Sequence, residues 1–313
     1  MPKKYTLCKE GDVAFADASE DTNDVAKCVE FTNCAENSIV CGLHTIHGRD
    51  KSNKTVIGFK GYAFSAQSFR HQIRRLAQGT KIYSINSKNF SECYIGIPSK
   101  EEQSKIAILL SLIDQRIDTQ RKIIEDLKKL KDAIITKLFT SLESHCNEYD
   151  EIRNMLHYEQ PSAYLVNSTE YSEDYPTPVL TANKAFILGY TDEEYGVYDK
   201  GDCIIFDDFT MDLKYVTFPF KVKSSAIKIL TPRQNIDLYF IYEYLLYLDL
   251  VSEEHKRHYI SEIESMSIIR PQLKEQRQIS QPLQSLEMQV GNAIALQKLL
   301  AKQKQHLLSQ MFI

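Results

Sequence analysis

Residues 98–139, PSKEEQSKIAILLSLIDQRIDTQRKIIEDLKKLKDAIITKLF, contain no Pro or Gly after the first position and are rich in strong helix formers. Their apolar residues advance by threes and fours through Ile106, Leu110, Ile113, Ile117, Ile124, Leu127, Ile134 and Leu138. That spacing predicts one long helix burying a narrow seam, with Lys, Arg, Asp and Glu turned to water. At 1.5 Å per residue, roughly forty residues reach about 60 Å, more than the width of most domains. A Leu/Ile seam of that length left in water would aggregate, so the helix requires a partner.

The chain supplies the partner itself. An offset of 173 residues carries Pro98 onto Pro271, Glu102-Gln103 onto Glu275-Gln276 and Phe139 onto Phe312, without a gap. The same offset sets the seam residues against Ile279, Leu283, Leu286, Val290, Leu300 and Leu307, and Leu138 against Met311. Two helices share apolar phase easily. Helical periodicity does not demand a common Pro-x-x-x-Glu-Gln head and a common terminal Phe, so the pattern reads as an internal duplication. Leu109, Leu112, Ile123, Leu130 and Ile135 lie off the main seam and widen the apolar face.

With 313 residues, 43% of them hydrophobic, the chain has room for two domains beside the long helices. No run reaches the apolar length of a membrane span, and the first residues lack the apolar core of a signal peptide. Seven Cys are scattered without a Cys-x-x-Cys pair, which predicts free thiols in a reducing, cytoplasmic setting and no metal. A net charge of −4 argues against a sequence-blind nucleic-acid coat but leaves local basic faces open.

Taken in order, residues 1–97 form a first mixed unit and 98–142 the first long helix. Residues 143–151 form a polar linker, 152–270 a second mixed unit and 271–313 the second long helix. In the first unit, strands are expected at 12–16, 38–41, 55–59 and 81–85, with a helix over 65–76 that stops at Gly79. In the second, strands are expected at 177–180, 203–206, 215–218 and 226–230, with a helix over 238–250. The duplication extends here: Gly11-Asp12 leads a strand toward Asp17, and Gly201-Asp202 leads one toward Asp207. About fifty residues of the second unit precede Gly201 but only ten precede Gly11. The first repeat is therefore expected to lack about forty opening residues, or to be built differently.

The alternation of globular unit and long helix resembles the specificity subunit of a type I restriction–modification system, over essentially the whole chain. The residues that carry the resemblance are Pro-x-x-x-Glu-Gln-x-x-Ile-Ala at 98–107, Leu-x-x-Leu-Lys at 127–131, Gly42-Leu43-His44-Thr45-Ile46 and Ala77-Gln78-Gly79-Thr80-Lys81. In the second unit they are Pro178-Val179-Leu180-Thr181-Ala182-Asn183-Lys184, Ile204-Ile205-Phe206-Asp207-Asp208-Phe209-Thr210 and Lys221-Val222-Lys223-Ser224-Ser225. The resemblance implies an α+β chain: two mixed α/β target recognition domains separated by two long helices that form an antiparallel intramolecular coiled coil. It further implies a non-catalytic, DNA-binding subunit that directs DNA methylation and defence against foreign DNA at a bipartite target in double-stranded DNA. Two methyltransferase (M) subunits and restriction/translocase (R) subunits would be its partners. S-adenosylmethionine, ATP and Mg would belong to those partners, and the chain shows no GxGxxG, GxxxxGK[ST] or Asn-Pro-Pro-Tyr-type motif of its own. The alternative is a truncated scaffold or regulator that binds methyltransferase subunits through the coiled coil without reading DNA.

Candidate DNA contacts follow from side-chain chemistry, each beside a plainer reading. Thr181, Asn183 and Lys184 suit phosphates and base edges, or a solvated loop. Thr210 follows Asp207-Asp208, a turn motif or an acceptor for cytosine amino groups rather than a catalytic carboxylate pair. Lys214, Lys221 and Lys223 offer a basic strand face, or an ordinary solvent face. Lys256 and Arg257, and in the first unit Arg70, Arg74 and Arg75, are the densest basic points. His44 with His47 lacks partners for a metal site, so His44 is assigned a DNA-face or structural role.

Overall fold

The structure, a computed structural model, describes residues 6–34, 39–181, 186–250 and 257–312. Contacts divide it into two units, Met1–Glu125 with Asn292–Ile313, and Asp126–Gly291, so both long helices contribute to each unit.

In the first unit Gly11, at φ +77°, makes the turn that β1 (Val13–Ala16) needs; a residue with a Cβ is strained there. Val13 and Phe15 alternate into a core with Phe69 and Ile73, the period of a half-buried strand. After β2 (Ala18–Ser19), strands β3 (Cys28–Glu30) and β4 (Thr45–Gly48) flank β1 in an antiparallel sheet. The segment expected as a strand at 55–59 is instead a turn. The Asp50 carboxylate gathers the Lys54 and Thr55 amides and the Thr55 hydroxyl, and the chain then enters α1 (Phe59–Ser65) through Gly58 at φ +87°. The helix expected over 65–76 is α2 (Gln67–Leu76), parted from α1 by the extended Ala66. Short β5 (Tyr83–Ser84), which pairs with β2, and α3 (Ser87–Phe90) precede α4 (Lys100–His145). Helix α4 has acidic Glu101 and Glu102 in its first turn and His145 in its last, the charges the helix dipole favours at each end.

In the second unit the residues expected as a linker are helical to His145 and then form β6 (Tyr149–Glu151). There follow α5 (Ile152–Met155), β7 (Leu156–Glu159), β8 (Thr177–Leu180), β9 (Ile187–Thr191), β10 (Cys203–Asp207), β11 (Leu213–Val216), β12 (Lys221–Val222) and β13 (Ile227–Pro232). Then come α6 (Leu238–Tyr247), β14 (Ser267–Ile269) and α7 (Leu273–Met311). Strand β10 is central in the antiparallel sheet β11-β10-β13-β7. It is buried throughout because both faces are covered: Ile204 and Phe206 meet α6 and both long helices, while Cys203 and Ile205 meet Tyr198 and Phe220. A continuous apolar run is what such a strand requires.

Candidate functional site

The heads of the two long helices are built alike. Gln103, fully buried, donates from Nε2 to the carbonyls of Pro98 (2.8 Å) and Lys54 (3.0 Å), and its Oε1 accepts from Val56 N–H at 2.9 Å. Gln276, also buried, donates to Pro271 (2.8 Å) and Asn235 (3.5 Å) and accepts from Asp237 N–H at 2.8 Å. A primary amide is the side chain that both donates and accepts in this manner. The repeated Pro-x-x-x-Glu-Gln is thus a clamp between each helix and the loop ahead of α1 or α6. The helix ends match too: Phe312 packs on Phe59 of α1 at 5.6 Å, and Phe139 packs on Phe240 of α6 at 5.8 Å between ring centroids.

Along the helices, buried seam positions are Leu110, Ile113, Ile124, Ile279, Leu283, Val290 and Leu300. Ile106, Ile117, Leu127, Ile134, Leu138, Leu286 and Leu307 are half-buried, and Leu109, Leu112, Ile123 and Leu130 are exposed. Within each unit, partner positions on α7 move to lower residue numbers as those on α4 move to higher ones. In the first unit Asp114 pairs with Lys304 at 2.5 Å, and Gln120 donates to the Ala293 carbonyl at 3.2 Å. In the second, Lys131 pairs with Glu287 at 2.6 Å and His145 with Glu275 at 2.9 Å. The 173-residue offset turns Asp114 into Glu287 and Lys131 into Lys304, so this is one ion pair built twice. The third partner differs. Tyr62 of α1 donates to Asp114 at 2.8 Å, whereas Glu243 of α6, fully buried, faces Lys131 at 2.8 Å. The Glu-Gln heads are visible in the sequence but their role is not, and nothing in the local sequence marks these charges. Their offset was the available signal.

The candidate DNA contacts separate into surface and interior. Asn183, Lys184 and Lys256 lie outside the described residues. Thr210 and Arg257 are exposed, the latter 4.0 Å from Asp208, and Lys214 and Thr181 are half-buried. Lys223 is exposed with its ammonium 5.7 Å over the Tyr171 ring. Lys221 is the clear correction. It is 2% exposed, paired with Glu193 at 3.0 Å and donating to the Tyr195 carbonyl at 2.6 Å, so it shares no solvent face with Lys223. Asp207 accepts from the Phe209 and Thr210 amides as a turn, and buried Asp208 pairs with buried Lys228 at 3.2 Å and holds Tyr259 N–H. Those bonds engage Asp207 Oδ1 and both Asp208 oxygens, and both residues are buried.

In the first unit His44 is exposed, 3.6 Å from Asp17, and Arg75 is exposed. Arg74 is half-buried, donating to Asn23 and Gln67, while Arg70 is buried, donating to the Asn23 carbonyl at 2.6 Å. Arg70 and Arg74 line a cleft of about 360 Å³ with Lys27, Asn23 and Gln67. Cys8, Asp12 and His47 place ligand-type atoms within 4.8 Å of one another. Asp12 is already occupied: Arg49 grips both its oxygens at 2.6–2.8 Å, and His47 and the Lys9 amide add bonds. The Arg49 guanidinium holds the Asp12 carboxyl well below the usual carboxylate range, and the cluster is an ion-pair network that closes the turn before β1.

Comparison with known proteins places this geometry. Residues 1–129 match the model of the type I restriction modification DNA specificity domain. The chain is 46% identical over 120 residues to the type I restriction enzyme EcoR124I/EcoR124II specificity subunit of Escherichia coli, covering 36% of this chain and 30% of that protein. It is 26% identical over 241 residues to the putative type I restriction enzyme MjaX specificity subunit of Methanocaldococcus jannaschii, covering 65% of this chain and 55% of that protein. The chain thus spans from a third to about half the length of these curated relatives. Its fold is shared with the crystal structure of the type I restriction–modification S subunit from M. genitalium, at TM-score 0.68 and 18% identity over 99% of this chain and 84% of that one. The chain is thus similar, through residues 1–129 and through its overall mixed α/β fold with two long helices, to specificity subunits of type I restriction–modification systems.

Proposed function

We propose that the chain is the DNA-recognition subunit of a type I complex and carries two target recognition domains on an antiparallel intramolecular coiled coil. The observation that most supports this is the doubled construction of the helix pair: the Gln103 and Gln276 clamps, with the Asp114–Lys304 and Glu287–Lys131 pairs. Each globular part then stands in the same relation to a helix head and a helix end, as two readers of a split double-stranded target require.

In this reading the exposed Arg257, Lys223, Thr210, Arg75 and His44, with half-buried Lys214 and Arg74, approach the DNA; the basic ones neutralise phosphates. The exposed Leu109, Leu112, Ile123 and Leu130 receive helices of two methyltransferase subunits, and restriction/translocase subunits join that core. The methyl donor, ATP and Mg are held by those partners, in the cytoplasm. No helix among the described residues is long and apolar enough to cross a membrane.

The test is co-expression with the methyltransferase subunit of a type I system, followed by mapping of methylated adenines. A bipartite motif with a fixed gap is the expected result. A stable complex that methylates without sequence preference overturns DNA reading and leaves a scaffold.

A further inference from the structure

We propose that Cys8 and Cys41 are an oxidisable dithiol that closes as an intramolecular disulfide in the first unit. Their sulfurs lie 3.5 Å apart although the residues are 33 positions apart in the chain. The backbones beside them are already paired: Leu7 bridges Val40 in antiparallel sense, and Cys8 N–H donates to the Ile39 carbonyl at 2.8 Å. An S–S bond is near 2.05 Å, so closure needs a movement of about 1.5 Å, within reach of side-chain rotation. Among the described residues no other pair of cysteine sulfurs is in hydrogen-bond contact, which makes this pair distinct.

The two thiols differ in access. Cys41 is half-buried and meets solvent, whereas Cys8 is buried, and burial pushes its thiol up to about 11. Cys41 is therefore the entry point for a low-molecular-weight disulfide such as oxidised glutathione. The Cys41 thiolate attacks that disulfide, forming a mixed disulfide and expelling one thiolate. Cys8 loses its proton to water and attacks Cys41 Sγ, expelling the second thiolate. Two protein thiols are oxidised, and one small disulfide is reduced to two thiols. The bond ties residues 6–8 to 39–41, immediately ahead of the turn in which Thr45 Oγ1 donates to Gly42 and which carries exposed His44.

The test uses the full chain, incubated with oxidised glutathione at mildly alkaline pH, alkylated, and digested without reductant for mass spectrometry. The expected result is a peptide linking Cys8 to Cys41 and a loss of about 2 Da from the intact chain, reversed by dithiothreitol. Both signals disappear in Cys41→Ser and in Cys8→Ser; Cys41→Ser, at the more open position, keeps the control available if Cys8→Ser does not fold. Full alkylation of both residues after oxidation overturns the proposal. So does a linkage in which Cys34, the other thiol near Cys8, replaces either partner.

Discussion

Gln103 and Gln276 hold the same three kinds of backbone group at the heads of the two long helices: one N–H and two carbonyls, in both cases from a side chain no more than 1% exposed. Each ties its helix to the loop three and five residues ahead of the apolar anchor, Phe59 or Phe240. The amide is irreplaceable there for a physical reason. A carboxylate cannot donate, and a hydrocarbon leaves all three groups dry and unpaired.

Gln103→Leu should therefore lower the stability of the first unit by about 3 kcal/mol, and Gln276→Leu that of the second by a similar amount. Hydrogen exchange separates the two. Val56 N–H should lose protection in the first variant only, and Asp237 N–H in the second only. Loss at both amides in either variant would mean that the clamps are not independent.

Lys131 and Lys304 occupy equivalent positions but should not be equally important. Lys131→Met strands the fully buried Glu243 and should cost about 3–5 kcal/mol. In the Lys304–Asp114 pair the side chains are 28% and 35% exposed, so Lys304→Met should cost about 1 kcal/mol. Urea unfolding of the two variants gives the comparison, and equal midpoints would contradict it.

Asp12 links the first unit to pH. Its folded-state pKa is held far below the ordinary value, chiefly by Arg49, so it stabilises the fold above the unfolded pKa near about 4. That stability is lost as pH falls through the folded pKa. Asp12→Asn should cost about 3 kcal/mol at neutral pH, and the deficit should shrink as acid protonates the wild-type carboxylate. Urea midpoints of both proteins across the acid range measure it; a deficit that does not change with pH sinks the assignment.

The basic residues divide by what they should do to DNA binding. Arg257→Ala, and Arg74→Ala with Arg75→Ala, should weaken binding to every duplex and flatten its salt dependence between about 50 and 200 mM. Lys221→Met should instead lower stability with the salt slope intact, because its ammonium is buried against Glu193. Filter binding of the assembled complex over that salt range distinguishes them.

The first long helix was legible in the sequence, because forty residues without Pro or Gly and with a three-four apolar step leave few other structures; the second, which contains Pro282 and Gly291, was legible through its 173-residue match to the first. The strand at 203–206 was legible for a related reason: a short apolar run bounded by turn residues fits a sheet covered on both faces. What periodicity does not reveal is which polar side chains the fold will enclose. Lys221 and Lys223 alternate as a solvent face would, yet Lys221 is dry because Glu193, from a distant loop, reaches it. Gln103 likewise looks like a helix-surface residue until residues 54–56 fold over it. The turn at 55–59 was misread as a strand because its apolar content suits both, while the Asp50 carboxylate that winds it lies upstream.

The division of the units also orders events in time. The second unit is one unbroken stretch, Asp126–Gly291, whereas the first is completed by Asn292–Ile313. Phe59 leaves the ribosome long before Phe312 exists to cover it, a delay of roughly 10–50 s at ordinary rates of synthesis. During that interval the apolar floor around Phe59 and Ala107 stands open while the second unit has all its own residues. The half synthesised first is thus the half that finishes last, and chaperones or partner subunits present during translation meet it with that floor uncovered.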